Sequence, residues 1–370
     1  MSKHLGESRP RRVPVRSRGF VWGVGGFLAL NVVTALAIVQ GLGHRTPTDA
    51  VADTSGHGRS TSAHTVAHRS SKSDPPSRDT QRSQVGGVYR TRPGAVLSLK
   101  PAVAHARWQA RQPTVFRVST FNLLGASHTG PGGNHKGFAV GSSRMGNAVA
   151  LLRTFQVNVV GFQEMEPVQY ATFNRLTGYA WGTYPGPTLD RGSIRQSIAW
   201  RKDTWQLVSA SSIPIPYFHG QLIRMPIVLL ENIRTGQQVY FANFHNPATT
   251  PGHGNNQRWR YVAEAKQVAM VRNLEATSPG TPIIITGDMN ERAEYFAHLA
   301  GQTDMCAANS LTTPTGGCFM PQRMDVDWIF GTPDITFSGY VSDQGPFVRR
   351  TTDHPIVVAT GTLAPAVQRR

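Results

Sequence analysis

A short apolar run is followed by a glycine and then by Asp288 and Asn290, whose side chains carry oxygen atoms, in the stretch Pro282-Ile283-Ile284-Ile285-Thr286-Gly287-Asp288-Met289-Asn290. A run of this length, bounded by proline and glycine, is typical of a strand that is buried on both faces. Asp288 and Asn290 then follow the end of that strand, where functional sites are commonly built on sheet scaffolds. The stretch therefore predicts a buried strand of an α/β domain with polar side chains at one edge of the sheet.

Acids, amides and imidazoles recur at the ends or starts of other predicted strands, namely at Asn122, Glu164, His245, Asp327, Asp353 and His354. Each has an ordinary structural explanation by itself, because Asn and Asp form turns and a Glu at a helix start complements the helix dipole. Their recurrence at strand after strand favours a common site. Oxygen ligands suit Mg²⁺, Mn²⁺ or Ca²⁺, and imidazoles can move protons. The set suits attack on a phosphate.

The spacing of apolar residues elsewhere predicts the remaining elements. Further strands are predicted at Val115–Phe121, Asn158–Phe162, Val326–Phe330 and Ile356–Thr360, and helices at Ser143–Gln156 and Asn255–Glu275. One hairpin is predicted to join Ser197–Trp200 to Trp205–Val208 around Arg201-Lys202-Asp203, and another to join Met225–Ile233 to Gln238–Phe244. Many strands with few helices indicate two packed sheets with helices outside. Residues 113–363 contain no linker-like break, which favours a single domain.

In their order along the chain, these motifs resemble the endonuclease/exonuclease/phosphatase superfamily, which has the DNase I-like fold. The matching segments are Ser119-Thr120-Phe121-Asn122, Gly161-Phe162-Gln163-Glu164, Asn243-Phe244-His245-Asn246-Pro247, Thr286-Gly287-Asp288-Met289-Asn290, Val326-Asp327-Trp328-Ile329-Phe330 and Thr352-Asp353-His354-Pro355. The resemblance implies a four-layer α/β sandwich of two mixed sheets with the site at one edge. It also implies a divalent-metal-dependent phosphoric ester hydrolase that uses an activated water.

The resemblance implies roles for individual residues of this chain. Glu164 is expected to be the principal ligand of Mg²⁺, or of Mn²⁺ or Ca²⁺, with Asn122 and Asp327 beside it. Some family members carry an acid two residues after the first Asn, whereas this chain has Leu124, so we expect one metal ion. Asp325 precedes Asp327 by two residues and is expected to be a loop carboxylate.

The remaining site residues are expected to act on the phosphate and the water. Asp288 and Asn290 would position them, and His354, oriented by Asp353, would act as general base or hold a phosphate oxygen. His245 would stabilise the transition state or protonate the leaving oxygen. The segment around His245 lacks the Thr-His-Leu of many phosphatase and lipase branches and is closer to the nuclease branches.

The net charge of +17 is not evidence for a nucleic-acid groove, because most of it lies outside the predicted domain. Residues 1–112 hold 17 Lys and Arg against 5 Asp and Glu, a net of +12, and residues 113–370 hold 21 against 16, a net of +5. The prediction of a phosphodiester substrate, nucleic acid included, therefore rests on the motifs. The protein is expected to be a monomer.

The N-terminal third predicts export of the domain. Residues 1–18 are basic, residues 19–43 carry no charge, and residues 44–112 have the composition of a disordered linker. The uncharged segment is long enough to cross a bilayer. It is interpreted either as an uncleaved transmembrane anchor or as a signal peptide cut after Ala35-Leu36-Ala37. The domain would then be extracellular, membrane-anchored or secreted, and residues 364–370 form a tail.

Other functions and features remain open on the sequence. One alternative is a phospholipid (sphingomyelinase-like) or small phosphate-ester hydrolase, with Trp181 and Tyr184 as candidate membrane aromatics. Another is a surface binding module without catalysis. Arg191 and Arg195 are candidate phosphate contacts, Arg258 and Arg260 are either a groove lining or a helix surface, and Cys306 and Cys318 are expected to form a disulfide.

Overall fold

The computed structural model of the 370-residue chain describes residues 112–313 and 316–365. The predicted basic N-terminus, the anchor or signal segment, nearly all of the linker and most of the C-terminal tail lie outside the described residues. Within the described ranges, no helix combines the length and hydropathy needed to cross a membrane.

The described residues form twelve strands, which are β1 (Thr114–Asn122), β2 (Val159–Gln163), β3 (Trp181–Tyr184), β4 (Ile198–Arg201), β5 (Trp205–Pro216), β6 (Leu222–Asn232), β7 (Gln238–His245), β8 (Ile283–Asp288), β9 (Cys306–Ala307), β10 (Asp327–Gly331), β11 (Ile335–Asp343) and β12 (Ile356–Leu363). The α-helices of the same residues are α1 (Ala126–Thr129), α2 (Gly141–Thr154), α3 (Pro167–Thr177), α4 (Gln257–Thr277), α5 (Ala293–Ala300) and α6 (Pro346–Arg349).

The strands form two mixed six-stranded sheets, with the orders β11-β12-β1-β2-β4-β3 and β5-β6-β7-β8-β10-β9. Each sheet contains one parallel pair, β1 with β2 and β7 with β8, and each pair is connected through a helix on the outer face. The other pairings are antiparallel. The sequence-based prediction of two mixed sheets is confirmed.

Three apolar clusters show that the sheets and helices form four layers. The central cluster includes Phe116, Trp205 and Phe241, whose rings pack edge to face between the sheets. A second cluster packs α2 and α3 on the first sheet, and a third packs α4 and α5 on the second sheet. Both sheets are therefore covered on both faces, which explains why their central strands are apolar runs without alternation.

The predicted hairpin around Arg201-Lys202-Asp203 is wrong. β4 pairs with β2 and β3 in the first sheet, whereas β5 pairs with β6 in the second. Two short apolar runs with a turn between them can form a hairpin within one sheet. The same pattern occurs where the chain passes from one sheet to the other, as it does here between β4 and β5. The hairpin of β6 and β7 is confirmed, with Gly236 in the left-handed region at its turn (φ 70°).

The buried face of α4 also differs from the expected apolar one. Val262 is exposed, whereas Arg260, Glu264 and Gln267 are buried among Ala263, Val268 and other apolar residues. Hydrophobic spacing does not identify polar side chains that are buried because they are paired. β11 was not predicted, because most of its side chains are exposed or half-buried and give no periodic apolar signal.

The side chain of Asn243 joins the two sheets across the central layer. Its amide nitrogen donates to the carbonyl oxygens of Phe162 (2.7 Å) and Gln196 (2.8 Å). Its amide oxygen accepts from Gln163 Nε2 (2.7 Å) and from Thr286 Oγ1 (3.1 Å). Asn243 is fully buried, so all four bonds form away from water and fix the relative position of β2, β7 and β8.

Gly161 permits this close approach, and replacing it tests the role of the contact. A Cβ at Gly161 would lie 2.1 Å from Thr286 Oγ1 and 2.3 Å from Asn243 Oδ1, closer than any real contact. We expect Gly161→Ala to lower the free energy of unfolding by about 1–3 kcal/mol, the usual cost of overpacking. Denaturant unfolding measures it.

Gly252→Ala is the matched control, because a Cβ at Gly252 meets no atom within 4 Å. Its unfolding free energy should stay within about 0.5 kcal/mol of the wild-type value. Equal stability of the two variants would contradict the tight packing between the sheets.

Candidate active site

The functional side chains converge because the two parallel strand pairs end at the same edge. Asn122 stands opposite Gln163 in the first sheet, so Glu164 follows directly beside it. His245 stands opposite Asp288 in the second sheet, and Asp327 is paired with Asp288 from the other side. Thr352 Oγ1 donates to the carbonyl of Asn122 at 2.9 Å, which brings the start of β12 to the same edge.

One oxygen of Asp288 lies at the centre of the site. Asp288 Oδ2 is 3.0 Å from Asn122 Nδ2, 3.5 Å from His245 Nε2 and 3.6 Å from His354 Nε2. The other oxygen, Oδ1, accepts the backbone N–H of Asn290 at 3.0 Å, which fixes the carboxylate plane. Asp288 is 1% exposed. A single buried carboxylate oxygen is therefore faced by an amide and two imidazoles.

The half-buried His354 pairs with the buried carboxylate of Asp327. The ring Nδ1 lies 2.9 Å from Asp327 Oδ2, while Nε2 faces Asp288. Burial alone would lower the pKa of His354, but the carboxylates of Asp327 and Asp288 raise it well above its usual range. Burial raises the pKa of Asp327 to about 7, against the opposing effect of His354. The pair therefore holds a proton at the site at neutral pH.

The expected role of Asp353 in orienting His354 is not what the structure shows. The carboxylate hydrogen-bonded to the imidazole is that of Asp327, at the start of β10. Asp353 turns outward instead, and its Oδ2 lies 3.3 Å from His135 Nε2. The adjacent position in sequence misled the prediction, because Asp353 and His354 lie in a bend before β12 and their side chains contact different partners.

Glu164 stands on the first-sheet side of the site in the left-handed backbone region (φ 59°). Asn122 Nδ2 donates to its Oε1 at 3.2 Å and the Gly125 N–H donates to its Oε2 at 2.8 Å, and His128 Nε2 lies 3.4 Å from Oε2. Burial raises the pKa of this carboxyl, but the imidazole of His128, the charge of His245 and the Gly125 N–H outweigh it and hold the pKa well below its usual range. Glu164 is therefore a carboxylate at neutral pH.

Asn122 and Asn290 are held in fixed orientations. Asn122 Oδ1 accepts the Leu124 N–H at 3.0 Å, so its amide nitrogen points at the carboxylates of Glu164 and Asp288. Asn290 (φ 53°) donates from Nδ2 to the carbonyl of Asn246 at 2.8 Å. Left-handed backbone at residues other than glycine costs free energy and persists where the surrounding structure holds it, commonly at functional sites.

Tyr217 was not predicted from the sequence, yet it lies against His245. Its hydroxyl is 3.3 Å from His245 Nε2 and 3.4 Å from Nδ1, and the two rings meet edge to face with centroids 5.2 Å apart. Burial, with the charges of Glu164 and Asp288, raises the pKa of Tyr217 well above its usual range, so the phenol keeps its proton. Its sequence context, between two strands, carries no signal of this contact.

Two of the arginines named from the sequence, Arg260 and Arg195, contact protein carboxylates. Arg260 is buried, and its Nε donates to Glu291 Oε1 at 2.9 Å, while Nη1 donates to the carbonyl of Pro247 at 2.7 Å. It therefore braces the backbone next to Asn290 and lines no groove. Arg195 Nη2 lies 2.9 Å from Glu166 Oε1, and the Arg258 guanidinium lies 4.6 Å from the Trp259 ring centroid.

Other expectations are also settled by contacts. Asp325 Oδ1 accepts the Val326 N–H at 2.9 Å and faces Arg292, as expected of a loop carboxylate. The expected disulfide is not formed, since Cys306 and Cys318 are free thiols, and the Sγ of Cys318 lies 3.7 Å from the Met305 carbonyl.

The residues at this edge fit a divalent cation. Carboxylates of Glu164, Asp288 and Asp327 gather there, and one buried oxygen, Asp327 Oδ1, has no hydrogen-bond partner. Ligand atoms of Asp288, Asp327 and His354 lie within 4.8 Å of one another. Carboxylate oxygens with one imidazole suit magnesium, manganese and similar ions.

Comparison with known proteins agrees with this geometry. The family model described as the endonuclease/exonuclease/phosphatase family matches residues 119–354. No curated protein sequence matches the chain. The match spans well over half of the chain, and it ends at His354.

Several solved structures have a similar fold, and the match covers nearly the whole length of each solved chain. The human Nocturnin catalytic domain with bound sulfate anion is 18% identical, with a TM-score of 0.53, and the match covers 70% of this chain and 99% of that one. A family protein from Bacteroides thetaiotaomicron is 13% identical (TM-score 0.52; 68% and 99% covered), as is a mannosyl-6-phosphatase of that organism (0.51; 66% and 98%). At these identities the similarity shows the fold.

The described domain thus has the architecture and the site of a metal-dependent phosphoester hydrolase. The chain belongs to the endonuclease/exonuclease/phosphatase family. The alternative of a binding module without catalysis is not supported, because the edge retains its carboxylates and its imidazoles in mutual contact.

The pairing of His354 with Asp327 can be tested by titration. Asp327→Asn removes the negative charge 2.9 Å from the imidazole, so we expect the pKa of His354 to fall by about 1 to 3. The pH dependence of the His354 imidazole resonances in NMR spectra measures it. The control Asp203→Asn removes a carboxylate that pairs with Arg201 at the crossing between the sheets, and should leave the His354 pKa unchanged. An unchanged pKa in Asp327→Asn would refute the pairing.

Proposed function

We propose that the protein is an exported phosphodiesterase, with nucleic acid as the leading substrate class, and that it hydrolyses the ester by attack of water. The observation that carries the proposal is the convergence of Asn122, His245 and His354 on one oxygen of Asp288. A carboxylate surrounded by fixed donors orients a water and accepts its proton, while the donors receive the negative charge of a phosphoryl group.

Asp288 is assigned as the group that aligns and deprotonates the water. Its Oδ1 accepts the Asn290 N–H, and its Oδ2, which accepts from Asn122 and lies between the two imidazoles, is the oxygen that we assign to the water. Asn290 is held by Asn246 and stands at the same turn, where its amide can contact the phosphate. Positioning of this kind supplies much of the rate enhancement in phosphoryl transfer.

His354 is assigned to hold a phosphate oxygen, because its ring carries a proton between two carboxylates. Of the two roles expected from the sequence, the geometry favours this one over general base. His245 lies on the other side of Asp288 with Tyr217 against its ring. From there it is placed to protonate the leaving oxygen, with the tyrosine hydroxyl fixing the ring.

Glu164 is the proposed principal ligand of the divalent ion, with Asp327, which is paired with Asp288, as the other carboxylate expected at the ion. Asn122 contributes by donating to Glu164 and Asp288, which differs from the coordinating role expected for it. When bound, the ion supplies positive charge that offsets charge developing on the phosphoryl oxygens. Mg²⁺ is the proposed ion on the family resemblance.

A second candidate, a phospholipid or another ester with an apolar group, is favoured by one surface. Leu311 (77% exposed), Phe319 (56%) and Met320 (44%) flank an open cavity of about 940 Å³ that also includes Asp325 and Tyr340. The aromatics proposed from the sequence do not serve this purpose, because Trp181 packs on Phe173. Exposed apolar side chains beside a site favour contact with lipid or an apolar leaving group.

Export of the domain is proposed from the sequence alone. The basic residues 1–18 and the uncharged residues 19–43 support it, whether the segment stays as an anchor or is cleaved. Cell fractionation of the tagged full chain tests it, and recovery of all protein in the cytosol would contradict it.

Metal dependence can be tested with Glu164→Gln. This change removes the charge of the proposed principal ligand, so we expect hydrolysis of bis(4-nitrophenyl) phosphate in saturating Mg²⁺ to fall by roughly 10²–10³-fold. Excess chelator should abolish wild-type hydrolysis, and added Mg²⁺ should restore it.

The control Glu231→Gln changes a carboxylate that pairs with Gln206 and Gln238 on the second sheet, and should hydrolyse at the wild-type rate. Full activity of Glu164→Gln, or activity that survives chelation, would overturn the proposal.

The substrate class can be decided with a panel of single-stranded DNA, RNA, phosphatidylcholine vesicles and a sugar phosphate. We expect the highest kcat/KM on nucleic acid. The variant Phe319→Ser, at the exposed apolar surface, should keep that activity. A preference for vesicles that is lost in Phe319→Ser would instead support the second candidate.

A further inference from the structure

Two turns beside the active site place a group of aromatic rings at the protein surface. The first turn, residues 217–220, follows β5, and the second, residues 250–254, precedes α4. The rings of Phe218 and His253, one from each turn, are almost parallel, at 9°, with centroids 3.8 Å apart. His219 Nε2 lies 3.4 Å from His253 Nδ1. Phe218 is half-buried, whereas both histidines are exposed. We call these three rings the ring platform.

The ring platform is continuous with the active site through Tyr217. The Tyr217 ring lies 4.4 Å from that of Phe218, centroid to centroid, and the Tyr217 hydroxyl contacts the ring of His245. His245 is the residue proposed to protonate the leaving oxygen. Aromatic rings therefore extend from the leaving-group side of the site to the protein surface.

Both turns are held in fixed conformations by the protein itself. In the first turn, His219 has left-handed backbone (φ 57°), and Gly220 packs so closely on the Trp259 ring that a Cβ there would lie 2.6 Å from it. In the second turn, the buried side chain of Asn256 donates to the carbonyl of His253 at 3.2 Å. The ring platform is therefore preorganised, and preorganisation lowers the entropic cost of binding a ligand.

The segments that form the ring platform carry no acidic side chain. Residues 204–230 and 232–263, which contain both turns, hold no Asp or Glu. Arg258, in the first turn of α4, is exposed, and within the described part of the chain no carboxylate pairs with it. Its guanidinium lies 4.6 Å from the Trp259 ring centroid, beside the first turn. The charge of this surface therefore complements a polyanion, and its rings offer flat faces.

Rings combined with positive charge are the features with which proteins bind single-stranded nucleic acid. Any unpaired base can stack on a ring, while the phosphates contact basic side chains. The exposed rings of the platform are imidazoles, not the large apolar side chains with which proteins enter a bilayer. The surface therefore favours an unpaired strand over a lipid.

We propose that the ring platform is a base-stacking subsite for single-stranded nucleic acid. It holds an unpaired base on the leaving-group side of the scissile phosphate, and Arg258 contacts a phosphate of the same strand. The proposal rests on the proposed function and deepens it, because it specifies an unpaired strand as the substrate and assigns the residues that bind its bases.

Binding of oligonucleotides in excess chelator tests the proposal without hydrolysis. The full chain is titrated into labelled strands of about 12 nucleotides, made of deoxyadenylate, of riboadenylate or of abasic units with the same phosphates, and fluorescence anisotropy gives the Kd. Because stacking adds to the attraction of the phosphates, we expect each strand with bases to bind about tenfold more tightly than the abasic strand. Comparison of the two base-bearing strands separates DNA from RNA.

The contribution of the rings is tested with His253→Ala. This variant should raise the Kd of the base-bearing strands by about tenfold and leave the Kd of the abasic strand within about twofold of the wild-type value. His253→Tyr keeps a ring and should bind the bases about as tightly as the wild type. The control Tyr179→Ala removes an exposed ring before β3, at the end of the first sheet away from the site, and should change neither Kd. Equal melting temperatures verify folding of every variant.

The phosphate contact is tested with Arg258→Ala. The slope of the logarithm of the binding constant against the logarithm of the salt concentration should become shallower by about 0.7, as expected for the loss of one phosphate contact on a single strand. The abasic strand should show the same change. The control Arg234→Ala removes an exposed arginine from the turn between β6 and β7, at the other end of the second sheet, and should keep the wild-type slope.

Equal Kd values for base-bearing and abasic strands, or a His253→Ala variant that binds bases as the wild type does, would overturn this proposal. Binding to phosphatidylcholine vesicles that is lost in His253→Ala, without base-dependent binding to strands, would overturn it in favour of lipid. Failure of the proposed function is seen separately, as full activity of Glu164→Gln on bis(4-nitrophenyl) phosphate, an ester without a nucleobase.

Discussion

The four hydrogen bonds of the Asn243 side chain set the position of one sheet against the other. Two of these bonds are to backbone carbonyls, that of Phe162 in β2 and that of Gln196 just before β4. The other two are to side chains, that of Gln163 in the first sheet and that of Thr286 in the second. Because Gly161 has no side chain, β2 comes close enough for Gln163 and Thr286 to share the same amide oxygen. Glu164 follows Gln163, and Asp288 lies two residues after Thr286. The contact that fixes the sheets therefore also fixes the separation between the two halves of the active site, and it cannot adapt by hydration because it is fully buried.

The site that results concentrates negative charge beside several imidazole side chains. Three carboxylates meet at one edge: His128 faces that of Glu164, His245 faces that of Asp288, and His354 lies between those of Asp288 and Asp327. Repulsion among the carboxylates favours binding of cations and of protons, which is the same property that stabilises charge in phosphoryl transfer. The buried pair of Arg260 and Glu291 and the bond from Trp328 Nε1 to the Glu291 carbonyl hold the turn after Asn290 from behind. Positioning of the reacting groups is therefore a property of the whole layer and not of the edge residues alone.

The sequence was sufficient to predict the strands that end at the site, since Ile283–Ile285 and Val159–Phe162 are apolar runs closed by polar residues. The order of these motifs also identified the family and the sandwich of two sheets. It was not sufficient for relations that depend on three-dimensional pairing. The partner of His354 is Asp327, 27 residues away, and not its neighbour Asp353. Tyr217 and His135 lie in loops and His128 lies in the short helix α1, and no local sequence pattern indicates the side-chain contacts that these residues make. The burial of Arg260 was not predicted, and Arg144 was not singled out at all. A charged side chain is buried only where the fold supplies a partner, and the sequence does not show that partner.

The central claim is that the edge where β2 and β8 end binds a divalent ion at Glu164. The most direct measurement is a crystal structure of the Mn²⁺-loaded protein, with the ion located from its anomalous scattering. We expect an anomalous peak about 2.1–2.3 Å from a carboxylate oxygen of Glu164, on the side that faces Asp288. A peak bound only elsewhere, with none at Glu164 under saturating Mn²⁺, would contradict it.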